Sequence, residues 1–152
     1  MFDDAELSEI ENHPYRYIDG SEATTIALAE AWRLHVAKID EDRALPWTDH
    51  RVWNEHDLAG ALFLRDRLER TLNELPVALV ERMRSYVAEA DDQFRSYTVT
   101  DTGIRIAKIA GETTTEKGWW WFRVPRSGPI AQDLAGHSAS GDYLRPGDAA
   151  GE

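Results

Sequence analysis

Apolar residues return at three- and four-residue steps through three stretches of the chain, the period of a helix with one buried face. In the first, Ile26, Ala29, Trp32, Val36 and Ile39 form the stripe, after the turn Asp19-Gly20. Ser21 is the predicted N-cap, and Thr24 stands where a capping-box acid would complete it. The second stretch opens at Asn54, whose side chain can cap while Asp57 suits the positive helix start. Leu58, Leu62, Leu68, Leu72 and Leu75 mark its buried side, and Ala59-Gly60-Ala61 leaves room for another backbone to approach. Pro76 ends that helix and is acceptable in the first turn of the next. Val80, Met83, Val87, Ala90 and Phe94 form the third stripe. The pattern predicts helices over 21–40, 54–75 and 76–96, with Trp32, Leu62, Leu68, Val80, Val87 and Phe94 in the core.

Beyond Tyr97 the pattern changes. Thr98–Thr102 is polar and β-branched, and Ile104 and Ile106 alternate with Arg105 as in a half-buried strand. Ile109 breaks that alternation, which leaves a short helix over 104–110 open. Gly111–Gly118 reads as a hairpin loop. Trp119–Val124 reads as a strand ended by Pro125. Tyr15–Ile18 offers a third strand, and residues 1–12 a short acidic helix with Leu7 and Ile10 as its apolar face. The expected fold is α+β and mainly helical: three long helices against a small antiparallel sheet or hairpin near the C-terminus. Residues 1–135 are expected to form a single globular domain. Residues 136–152, with only Tyr143 and Leu144 to bury, are expected to be a flexible tail.

Charge narrows the function. The chain carries 28 Asp and Glu against 17 Lys and Arg, a net charge of −11. Residues 1–24 alone hold seven acids and one base. That balance argues against nucleic acid, whose phosphates need clustered cations, and against an anionic membrane. The absence of Cys removes disulfides, thiolate catalysis and Cys-ligated zinc. The acidic opening MFDDAELSEIE has no apolar signal region, so a cytoplasmic location is expected.

No motif announces a reaction. His50 and His56 lie among Asp49, Glu55 and Asp57, but six residues apart, off the spacing of ligands on one helix face. His35 borders the first core stripe, while His13 and His137 have no sequence partner. There is no HExxH, Glu-x-x-His, Walker loop, dinucleotide glycine motif or serine elbow. No catalytic residue, cofactor or metal is therefore assigned. Asp91-Asp92 is the paired carboxylate inside a predicted helix; neighbours there point about 100° apart, so a solvated face is expected. Asp40-Glu41-Asp42 follows the first helix, where negative charge is unfavourable, which points to partner binding over local stability.

Trp119-Trp120-Trp121-Phe122 is the least ordinary segment. As a strand it would show Trp119 and Trp121 to one side, Trp120 and Phe122 to the other. Helices would cover one side and Gly128–Leu134 the second. The alternative is an exposed Trp anchoring a partner beside Arg123 and Arg126. Together these features favour a small acidic binding protein, an immunity protein or antitoxin that neutralises a basic nuclease-type toxin. Its expected partner-binding residues are Asp40, Glu41, Asp42, Asp91, Asp92, Trp120 and Arg123. A second reading is a small enzyme or ligand-binding domain with a pocket between the helices and the Trp-rich sheet, using His50, His56 or Asp92. A third is a subunit whose Trp cluster is an obligate interface.

Overall fold

The computed structural model describes residues 2–111 and 117–140. Helix α1, Asp4–Glu11, begins under a reciprocal cap in which the Asp3 side chain accepts from Glu6 N and Glu6 returns to Asp3 N. Strands β1, Tyr15–Arg16, and β2, Glu22–Ala23, pair antiparallel across Asp19-Gly20. The long helices are α2, Thr25–Asp42, α3, Glu55–Glu74, and α4, Val77–Tyr97. Strand β3, Thr98–Thr100, leads to α5, Ile104–Ala110. A 3-10 turn over Trp119–Phe122 then runs into β4, Arg123–Pro125, and α6, Pro129–Ser140. The mainly helical α+β architecture stands, with β3 and β4 as the small antiparallel sheet near the C-terminus. Among the described residues, no helix is long and apolar enough to cross a membrane.

The stripes do what their period requires. Trp32, Val36, Ile39, Leu58, Leu62, Leu68, Leu72, Met83, Val87 and Phe94 are buried in one core cluster. Val80 is only half-buried, because Leu79 turns inward in its place. Leu7 stays at the surface and Ile10 alone anchors α1. Asn54 caps α3 as predicted, accepting from His56 N and Asp57 N while Asp57 returns to Asn54 N. Thr24, not Ser21, caps α2: its hydroxyl accepts from Ala27 N at 3.1 Å. Gly60 is exposed with nothing close to its missing side chain, so no backbone approaches there.

Of the two alternatives left open over 104–110 the helix is the one formed, started at Gly103 with φ +76, and two other local expectations change. A Cβ on Gly103 would also sit 2.8 Å from the Trp121 carbonyl oxygen. The Trp run is a compact turn, for a reason visible in its contacts. Trp120 and Trp121 both donate to the same oxygen, Asp66 Oδ1, at 2.7 and 2.8 Å. Adjacent residues on a strand point to opposite sides and could not share one acceptor. Tyr15–Arg16 belongs to a separate two-stranded sheet and does not extend the C-terminal one. Helix α6 supplies the predicted cover, with Ile130 and Leu134 buried. It reaches Ser140, so the expected tail is helical where it begins at Gly136. Residues 141–152, and 112–116 of the expected hairpin loop, lie outside the described residues.

Candidate functional site

The structure distributes the predicted partner residues over interior and surface. Asp91 is buried, contrary to the expected solvated face. It accepts from Trp32 Nε1 at 2.9 Å and from Arg65 Nε and Nη2 at 3.0 Å each. Asp42 is inside as well, because α2 continues through it. Its carboxylate takes Lys38 Nζ at 2.8 Å and Trp53 N at 2.7 Å, tying the following loop to the helix. Trp120 is buried with its indole N–H on Asp66, and the Arg65 guanidinium lies 4.3 Å over its ring. Arg123 clamps the small sheet, donating to Thr98 Oγ1 at 2.8 Å and to Thr98 O at 2.9 Å. Asp40 is half-buried on Arg43 at 2.8 Å. Glu41 and Asp92 alone of the seven are fully exposed.

Around those two runs a surface that sequence reasoning overlooked. On α2, Glu30, Leu34 and Glu41 follow one another at helical steps. On α4, Tyr86, Glu89 and Asp92 do the same. The helices meet there through Tyr86 Oη, which donates to Glu30 Oε2 at 3.2 Å. Leu34 is 54% exposed and Tyr86 37%. Partial burial pushes the Tyr86 phenol up, and the charges of Glu30 and Glu89 push the same way, against Arg33. Glu30 itself is held below the usual carboxylate range by its bond to Arg33. The result is an acidic ridge with apolar side chains left in water. Each of Leu34 and Tyr86 is an ordinary helix residue off the core stripe, and only the pairing of α2 with α4 makes them one surface.

A second feature is a cleft of about 1100 Å³, walled by α3, by α4 and by the segment entering the Trp turn. A network running from buried Arg65 to exposed Arg84 forms its base. Arg65 Nη1 donates to Glu69 Oε1 at 3.0 Å, and Arg84 holds both oxygens of Glu69 at 3.2 and 2.8 Å. Burial raises the Glu69 carboxyl, but the bonds from Arg84 and Arg65 outweigh it and hold the group below its ordinary value. At the rim, Gly118 cannot carry a side chain, since a Cβ there would collide with the Trp120 ring. This cleft lies beside the Trp segment, and its polar groups are Arg and Lys together with Asp66, Glu69, Asn73, Glu74 and Asp91. His50 and His56 are exposed elsewhere.

No protein family, curated protein or solved structure matches this chain. Its geometry alone therefore bears on function. No group of three or more acidic or His side chains among the described residues is placed to hold a metal ion. The described cleft wall contains no His, Ser or Thr, and its central carboxylates are bound to Arg or Trp.

Proposed function

We propose that this chain is a small acidic binding protein that captures a basic protein partner, in the manner of an immunity protein or antitoxin facing a nuclease-type toxin. The supporting observation is the α2–α4 ridge, where exposed Tyr86 is followed at helical steps by Glu89 and Asp92 on α4, and exposed Leu34 by Glu41 on α2. Acidic groups in water steer a cationic partner into encounter. Tyrosine with an apolar neighbour then supplies the kind of contact that dominates interface energies. Asp42, Asp91 and Trp120 are internal in this reading and act only by fixing the fold.

The test begins with capture from the cells that encode the chain, followed by binding kinetics on whichever basic protein is retained. Glu41→Lys, Glu89→Lys and Asp92→Lys together should slow association while the fold stays intact. The difference should shrink as salt shortens the screening length from about 30 to 10 Å. Tyr86→Ala should mainly speed dissociation. An association rate indifferent to both salt and charge reversal would overturn the proposal, as would a retained partner that is not basic.

A further inference from the structure

The cleft beside α3 has a charge balance opposite to that of the chain. Its described wall holds Arg65, Arg67, Arg70, Arg84 and Lys117 against Asp66, Glu69, Glu74 and Asp91. Three of the four carboxylates are spent inside the protein. Asp91 is committed to Arg65 and Trp32, Glu69 to Arg84 and Arg65, and Asp66 to two indole N–H groups. Those bonds also consume Arg65 and Arg84. Arg67, Arg70 and Lys117 remain against Glu74 alone, and among the described residues none of the three has a carboxylate partner.

Their described contacts are with ring faces. Arg67 lies 5.3 Å from the Tyr17 ring, Arg70 lies 5.7 Å from Tyr15, and Lys117 Nζ lies 3.9 Å from Trp121. A ring face holds a cation without taking up all of its N–H donors, so the groups are positioned and still able to bond. Arg67 and Arg70 are one helical turn apart on α3. Phe63, one turn before Arg67, packs edge-on at 5.1 Å against Trp121, the ring beneath Lys117.

The geometry points to a binding site in this cleft for a small organic anion bearing two or more phosphate or carboxylate groups, held by Lys117, Arg67 and Arg70. Three cations lining one cleft without a carboxylate partner exceed what one anionic group needs, and the volume exceeds a single phosphate. The net charge of −11 repels a long polyanion outside the cleft, which favours a small ligand over nucleic acid. This site is independent of the ridge on α2 and α4.

Isothermal titration of the whole chain at low ionic strength, with inorganic tripolyphosphate in one arm and citrate in the other, tests the assignment. At least one should bind saturably, and which one binds separates phosphate from carboxylate recognition. Arg67→Gln with Arg70→Gln should weaken binding by about 10-fold or more for each charge-assisted hydrogen bond removed. Lys117→Gln should do likewise. Arg67→Lys with Arg70→Lys keeps the charge and should retain most of the affinity. Arg16→Gln, which removes a cation paired with Glu22 outside the cleft, should leave binding unchanged. Failure of both anions to bind overturns the site, and so does an equal loss in the Arg16 control, which would show diffuse attraction.

Discussion

Asp91 and Asp92 are neighbours in sequence and opposites in the molecule. Asp91 is 7% exposed and holds α4 to α3 and α2 through Arg65 and Trp32. Asp92 has its side chain 75% exposed and, among the described residues, reaches Arg95 at 3.3 Å. Glu41 and Asp42 repeat the division, one in water and the other 2% exposed. The 100° step between helix neighbours is enough to send identical chemistry to two regions. Of the acids turned inward, Asp91 joins the base of the cleft and Asp42 ties the loop after α2 to its helix, each with fixed donors. Acids turned outward form the ridge, where their charge stays available to a partner. Two faces of opposite electrostatic use thus come from runs of the same residue type.

The sharpest way to break this contrast is to delete both carboxylates in turn. Asp91→Ala leaves the nearly buried Arg65 guanidinium short of its main partner and strands the Trp32 N–H. Loss of one member of a buried pair costs about 3–5 kcal/mol. At this chain length that lowers the melting temperature by roughly 10 °C or more. Asp92→Ala should stay within about 0.5 kcal/mol. Comparable losses in the two variants, measured by thermal unfolding, would show that the faces are not distinct.

A smaller effect is expected at the turn that closes the cleft. Asp66→Ala removes the single oxygen on which both indole N–H groups converge. Unpaired buried donors cost about 1–3 kcal/mol each, less whatever solvent recovers at this half-buried site. The same variant should shift the fluorescence of the Trp turn while Phe122→Ala, at an exposed position, leaves stability nearly unchanged. Unaltered stability in Asp66→Ala would mean that the shared acceptor does not hold the turn.

These inward acids mark where sequence reading succeeded and where it stopped. The three long helices were legible because their stripes are long and apolar, and Asn54 with Asp57 announced a cap that the backbone uses. The buried charges left a signal in the same period. Arg65 stands midway between Leu62 and Leu68 on the core stripe, Asp91 lies four residues after Val87 and three before Phe94, and Asp42 three after Ile39. A charge on a core stripe has to find a partner inside, so position outranks residue type there. The Trp turn had no such signal. Alternation records only polarity, whereas the turn is set by Asp66, 54 and 55 residues away from its two donors. The ridge was hidden because Leu34 and Tyr86 read as ordinary helix residues until α2 and α4 are placed side by side.

Acid titration sharpens the contrast further. Glu69 has a folded pKa below its ordinary 4.5, so its stabilisation is complete above that pH and is lost as pH falls through the lower, folded value. Stability of the chain should therefore decline below about pH 4.5. Glu69→Gln should be less stable at neutral pH and lose less on acidification. Glu89→Gln, on the ridge, should follow the unaltered chain throughout. Parallel pH profiles for Glu69→Gln and the unaltered chain would remove the cleft network as a source of acid sensitivity.

The smallest change in stability is expected on the ridge itself, and it is the one that bears most on function. Glu89→Lys replaces an exposed carboxylate with an exposed cation, and such substitutions move stability by about 0.5 kcal/mol or less. The Tyr86 phenol nevertheless feels that charge, since Glu89 is among the groups that raise its pKa after burial and Glu30. Reversal at position 89 should bring the Tyr86 titration down, followed by NMR of the ring, with the melting temperature almost unmoved. Asp66→Ala, in the other region, should leave Tyr86 where it is. A Tyr86 titration that ignores Glu89→Lys would show that the ridge charges are screened too strongly to act together. Their ability to steer a basic partner would then fall with them.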